Sequence, residues 1–224
     1  MTQVLVSFLL INYLTKETIF ATLNTETILS MSTGYKIVEQ DALHYVTFQV
    51  VKWIDVFTRK VYRDIVIDSL KFCQTNKGLE IYAFVVMSNH AHLLIRSNNG
   101  TFSDTIREMK SFTAKKILET INAESESRKE WMLDLFEFSA KQHKRNENFQ
   151  FWTHENHAEL IYSDKFLFQK LNYIHENPVR AGIVEKAEDY LYSSARDFAG
   201  LPCLLEIVQT LMPTEKMPLM RTVR

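Results

Sequence analysis

Two short segments of this chain hold residue types that could do chemistry together. The first is Asn89-His90-Ala91-His92, set between Val85-Val86-Met87 and Leu93-Leu94-Ile95. On a strand, residues two apart share a face, so His90 and His92 would present two imidazoles side by side. Such a pair can chelate one divalent ion, though two histidines alone leave its coordination sphere incomplete. The competing reading is a pair of half-buried polar residues opening a strand.

The second segment is Tyr173-Ile174-His175-Glu176-Asn177-Pro178. On a helix, Tyr173 and Asn177 lie one turn apart on a common face, with His175 on the other side. An asparagine carbonyl could complete a coordination sphere, and the negative end of a helix favours a cation. Against this, tyrosines on amphipathic helices commonly pack, and an asparagine before proline commonly ends a helix. Taken together, two imidazoles, an amide and a phenol suit phosphodiester transfer. A phenol, with a reference pKa of roughly 10, is a poor nucleophile at neutral pH without activation. A metal can polarise the scissile phosphate and orient it for in-line attack. A phosphotyrosine keeps the bond energy, so a strand could be rejoined without a nucleotide cofactor.

These groups need a scaffold, and the hydrophobic pattern predicts one. His44 to Trp53 is aromatic and β-branched and reads as a strand. Lys60 to Asn76 has Val61, Ile65, Leu70 and Phe72 at helical spacing, with Lys77-Gly78 as a stop. Leu79 to Met87 and His90 to Arg96 read as an antiparallel hairpin turning at Ser88-Asn89. A helix is predicted over Thr101 to Ile121, capped by Thr101 or Ser103. Residues 122–150 are polar, with an apolar island from Trp131 to Phe138, and read as an insertion containing a helix. Phe151-Trp152 and His157 to Ile161 suggest short extended pieces. Ser163-Asp164 cap a helix carrying Phe166, Leu167, Leu171 and Ile174, and Pro178 is expected to end it near Asn177. This order predicts an α+β fold of ferredoxin-like type, an antiparallel sheet with helices packed on one face.

With 224 residues and 46% hydrophobic content, the chain can build one sizeable domain. We expect residues 1–30 to be an extension upstream of the true start, 31–208 the catalytic domain, and 209–224 a tail. Val4 to Ile11 is apolar but lacks a preceding Lys or Arg and a cleavage site, which argues against a signal peptide. No run approaches the roughly 18–20 apolar residues of a membrane span. Cys73 and Cys203 form neither a disulfide framework nor a thiolate zinc site, so free thiols in a reducing cytoplasm are expected. A net charge of −1 excludes a general polyanion binder, so any positive potential must be local.

The context VVMSNHAHLLI, followed after an insertion by YIHENPVRAGIV, resembles the His-hydrophobic-His (HUH) single-strand endonucleases. Within them it resembles the REP-associated tyrosine transposases and related insertion-sequence transposases. Tyr190 to Gly200 (YLYSSARDFAG) is similar to their C-terminal signature, and the resemblance spans roughly residues 40–208. It implies a ferredoxin-like domain, often a homodimer, that binds single-stranded or hairpin DNA. By motif position it implies Tyr173 as a nucleophile forming a 5′-phosphotyrosine, with Mg2+ or Mn2+ held by His90, His92 and Asn177. Ser88 stands where the family usually has proline, Ala91 is a minimal hydrophobe between the histidines, and the 122–150 segment is longer than in compact members.

Basic residues give candidate DNA contacts: Arg107, Lys110, Lys115 and Lys116 on the helix after the histidine strand, and Arg180 after the tyrosine. Lys144 and Arg145 form a second cluster in the insertion, and Trp152 could stack on an unpaired base. Singly, each reads better as a solvated or core residue; as a set beside the proposed site they point to DNA. His154 and His157 lack the spacing of zinc peptidases. Competing functions are a domesticated hairpin-DNA binder without mobility, a small His-metal hydrolase in which Tyr173 merely packs, and an RNA-binding ferredoxin-like domain. The last lacks an RNP-type aromatic motif.

Overall fold

The computed structural model describes residues 37–142 and 148–209. The expected N-terminal extension, nearly all of the expected tail, and Lys144 and Arg145 lie outside the described residues.

Strands β1 (His44–Gln49), β2 (Leu79–Val86), β3 (His90–Ser97) and β4 (Glu159–Leu160) form one sheet in the order β2-β3-β1-β4. All neighbours are antiparallel, and β3 is paired on both sides. The β2–β3 hairpin closes with Met87 N–H donating to His90 O at 2.8 Å. Thr47 of β1 and Val85 of β2 lie opposite His92, and Gln49 lies opposite His90. Because a one-residue slip would turn every side chain over, this double pairing fixes which face the histidines occupy. Ala91, between them, is fully buried on the other face.

That other face carries α1 (Lys60–Lys77) and α2 (Phe102–Ala123). The Phe102 ring packs on His44 at 4.7 Å, and Thr113 accepts the indole N–H of Trp152, whose ring also meets Phe48. Helix α1 stops at Gly78, which takes φ 63° as its left-handed cap. Its buried face runs through Tyr62, Val66, Leu70 and Cys73, a rotation from the sequence pattern that leaves Phe72 57% exposed. Neither expected hydroxyl caps α2. Gln40 reaches across instead, its Oε1 accepting from Ser103 N–H at 2.8 Å.

The insertion holds α3 (Lys129–Lys141), as the apolar island predicts. It is fastened by the buried carboxylate of Glu126, which meets Arg59, Arg128 and the Tyr62 hydroxyl, each at 3.2 Å. Burial works to raise that carboxyl, but Arg128 and Arg59 outweigh it and hold it below its usual range. Strand β1 is shorter than expected. After Gln49 the chain enters a 3-10 turn at Val51–Trp53, in which Lys52 (φ 53°) and Trp53 (φ 57°) occupy the left-handed region. For side chains of this size that conformation costs about 1–2 kcal/mol per residue.

Helix α4 (Asp164–Arg180) lies on the histidine face of the sheet, not with α1 and α2. Ser163 caps it, accepting from Phe166 N–H at 3.3 Å, and Leu167, Leu171, Ile174 and Pro178 are buried. The helix does not end at Asn177. A proline forfeits one N–H, yet here its place in the last turn is tolerated because a glycine just beyond completes the termination. Gly182 (φ 68°) donates to Val179 O at 2.9 Å, and Ile183 N–H reaches back to Pro178 O at 2.9 Å, a Schellman closure. The segment after it lines the outer edge of β2. Val86 N–H donates to Tyr192 O, Ser194 N–H donates to Phe84 O, and the Tyr190 hydroxyl donates to Val86 O. A short α5 (Ala195–Phe198) follows. No helix among the described residues is long and apolar enough to cross a membrane.

The Gly182 closure makes a measurable claim. No atom lies within 4 Å of a Cβ added there, so Gly182→Ala meets only the backbone penalty of a left-handed alanine. We expect a loss of about 1–2 kcal/mol in urea unfolding. An unchanged midpoint would mean that the helix end does not depend on this closure.

Candidate active site

The imidazoles of His90 and His92 stand 4.6 Å apart, centroid to centroid. His90 Nδ1 is 2.7 Å from Asn89 Oδ1. A carboxamide oxygen only accepts, so Nδ1 carries the proton and the lone pair is on Nε2. The Asn89 amide is itself oriented, its Nδ2 donating to Trp53 O at 3.2 Å. His92 Nδ1 lies 2.8 Å from the Tyr45 hydroxyl and 2.9 Å from Thr47 Oγ1. Either hydroxyl can accept from Nδ1–H by turning its own proton away, which again leaves Nε2 as a donor atom for a cation. Burial lowers the pKa of His90 and pulls His92 down to about 3, helped by the neighbouring His90 and the charges of Lys170 and Arg180. Both rings are therefore neutral at neutral pH, the form that binds metal.

Tyr173 comes to the same place. Its ring meets His92 edge-on at 5.2 Å and Tyr45 at 6.3 Å, yet it remains 40% exposed. It is thus neither core nor free surface. What fixes its height is His175, two residues on and buried, whose Nε2 is 2.8 Å from Ser194 Oγ. Ser194 Oγ accepts from Phe84 N–H at 2.9 Å, which ties α4 to β2 and so to the histidine strand. Burial pulls His175 down to about 4, so it is a neutral strut.

Two cations flank the tyrosine. Arg180 lies over the Tyr173 ring at 4.4 Å and donates to Tyr173 O at 3.0 Å. Lys170 lies over the Tyr45 ring at 4.1 Å and pairs with Glu159 at 2.6 Å. Asn177 is one turn past Tyr173, half-buried, on the same helix face. Among the described residues there is no cluster of three His, Cys, Asp or Glu that could hold a metal.

The defining sequence pattern of the family "Transposase IS200 like" matches residues 40–156, just over half of the 224. This chain belongs to the IS200-like transposase family. The match takes in His90 and His92 and ends before α4, so within this transposase the place of Tyr173 rests on geometry. The solved structure of a REP-associated tyrosine transposase bound to a REP hairpin is similar, with a TM-score of 0.50 and 19% identity. That likeness covers 83% of this chain and 99% of the other, and at this identity it speaks for the fold. A transposase candidate from Deinococcus radiodurans R1 aligns at 20% identity and a TM-score of 0.37, over 65% of this chain and 95% of its own. No curated sequence matches the transposase closely enough to count as a relative.

The expected DNA contacts fare unevenly. Arg180 joins the site. Arg107 is exposed and paired with Asp104 at 2.7 Å, and Lys115 and Lys116 are exposed on α2, on the far face of the sheet. Lys110 is turned inward, donating to Thr153 O at 2.8 Å and Asn156 Oδ1 at 2.6 Å. Trp152 is only 6% exposed, with its N–H on Thr113, and presents no face for a base. Tyr45, Thr47 and Lys170 are not visible from motifs, because each works through cross-strand register or a neighbouring helix, and Asn89 stands in the histidine motif without a sign there that it orients His90.

Lys110 has a pH signature. Burial pulls its ammonium from 10.5 down to about 8. Between those values the unfolded chain still holds a proton that the folded chain has released, so stability rises with pH through that window and is unaffected below it. The wild type should gain on a Lys110→Met variant by on the order of 1–3 kcal/mol between pH 7.5 and 10.5 in urea titrations. A constant difference would show that the ammonium is not desolvated.

Proposed function

We propose that this transposase cleaves single-stranded DNA with Tyr173 as nucleophile and rejoins it from a 5′-phosphotyrosine. One observation carries the reading: Tyr173 is held against His92 of the histidine pair in its own chain while the residue stays 40% exposed. A packed tyrosine would be buried, and a hydrolase would have no use for one there.

In the forward step Tyr173 Oη attacks phosphorus and the bond from phosphorus to the 3′-oxygen breaks. The phenolic proton passes to solvent, and the departing 3′-oxygen takes up a proton from it. The 5′-phosphate stays on Tyr173, and attack by a 3′-hydroxyl reverses the sequence. Arg180 and Lys170 supply positive charge where the phosphate must approach. His175 and Ser194 hold the phenol at its height and take no part in proton transfer.

His90 and His92 through Nε2, with the Asn177 carboxamide as third donor, would hold Mg2+ or Mn2+. Bound there, the ion would neutralise charge developing on the phosphate oxygens. The similar structure bound to a REP hairpin supports hairpin DNA as partner. One chain supplies both the histidines and the tyrosine, so cleavage in this reading needs no exchange of α4 across a homodimer.

Labelled single-stranded DNA with Mn2+ should give a covalent adduct that survives denaturing electrophoresis. The adduct should disappear in Tyr173→Phe and fall at least about 100-fold in His90→Ala and His92→Ala. Mixing Tyr173→Phe with His92→Ala protein should not restore it. Cleavage that persists in Tyr173→Phe would instead identify a hydrolase.

Asn89 gives a test independent of activity. Without its oxygen the His90 ring loses its orientation, so Asn89→Ala should weaken Mn2+ binding about 10–100-fold with little change in thermal stability. Free Mn2+ measured by electron paramagnetic resonance reports this, and wild-type affinity in the variant would dismiss the assigned ring orientation.

A further inference from the structure

We infer that Trp53 is the stacking platform for an unpaired base next to the scissile phosphate. The inference rests on the cleavage reading and adds to it where the unpaired strand runs. Its first support is position. The Trp53 ring meets the His90 ring edge-on at 6.3 Å, and its carbonyl holds the Asn89 amide that orients His90. Any strand with a phosphate at the histidine pair passes beside this indole.

The second support is exposure and backbone. Trp53 is 62% exposed, whereas Trp152 shows how this fold buries an indole it uses for packing. Trp53 also sits at φ 57° directly after Lys52 at φ 53°. Glycine would adopt that conformation freely, and an indole there is uncommon for good steric reasons. Strain of this sort persists where it positions a side chain for function. The third support is the surroundings. Lys52, the residue before Trp53, lies over the ring of Phe138, which is itself 51% exposed on α3, so a cation and a second exposed ring belong to the same stretch of surface chain. The nearby carboxylate of Asp55 is paired with Arg128 at 2.9 Å.

Aromatic faces with interspersed cations are how proteins hold single strands without reading sequence. A duplex keeps its base faces stacked inward, so the occupant is an unpaired base and not the stem of a hairpin.

The experiment uses the full chain with Tyr173→Phe, so that the strand stays intact, and a dye-labelled unpaired oligonucleotide. Trp53→Ala should weaken binding about 5- to 100-fold, and Trp53→Phe should recover most of it. DNA should quench a component of tryptophan emission that is missing in Trp53→Phe. Trp53→Gly should melt no lower than its parent, because it relieves backbone strain, yet bind as poorly as Trp53→Ala. Undiminished affinity in Trp53→Ala overturns the inference, as does Trp53→Leu binding as well as Trp53→Phe. If DNA binding needs Trp53 but the chain with Tyr173 intact never forms an adduct, the cleavage reading fails and the platform stands.

Discussion

The site depends on both Nδ1 atoms of the histidine pair being committed to the protein. His90 donates to Asn89, and His92 is met by Tyr45 and Thr47. These bonds set the ring orientation and leave Nε2 as the free lone pair of each imidazole. The two His92 contacts exist only in one register. Thr47 faces His92 because β1 pairs with β3 as it does, and a shift by one residue that put Phe48 opposite the imidazole would leave Thr47 opposite Leu93. The pairing of β3 on both flanks is therefore as much a feature of the site as of the fold.

A second chain of contacts sets the distance from tyrosine to histidine. Helix α4 is not held by apolar packing alone, which would let it slide or roll by a fraction of a turn. His175 reaches Ser194, Ser194 accepts from the backbone of β2, and the flanking Tyr190 and Val86 bonds clamp the same edge. Hydrogen bonds are directional where hydrophobic contacts are not, so this clamp defines both the rotation and the height of α4. The C-terminal signature thus acts through α4 and touches no reacting atom.

How much of this was legible follows from the length scale each signal reports. The histidine pair was readable because period two is a local property, and the α4 cap was readable because Ser163 and Phe166 are neighbours in sequence. The end of α4 was misjudged by weighing Pro178 above Gly182, although one lost N–H in a final turn matters less than a completed closure. Lys110 and Trp152 were expected on DNA because their types suit phosphates and bases. The structure turns them inward, since the partners that claim them, Thr113, Thr153 and Asn156, come from segments far along the chain or on another element. Trp53 was hidden for a different reason. It ends a run of β-branched and aromatic residues that reads as strand, and nothing in composition marks the point where that run turns left-handed.

The donor set also bears on how a protein of net charge −1 can favour DNA at this one place. Two neutral imidazoles and a carboxamide carry no negative charge, and no acidic residue joins them in a metal-binding cluster among the described residues. A divalent ion held by such ligands keeps its full charge, which a carboxylate site would largely cancel. Its attachment to the protein alone is correspondingly weak, because neutral donors bind hard cations less tightly than anionic ones. In the proposed reaction a phosphate arriving beside Arg180 would supply the missing negative charge. By linkage such an ion would strengthen DNA binding by the same factor that DNA strengthens ion binding. Under the proposed function, charge neutrality of these ligands would make ion and strand mutually dependent.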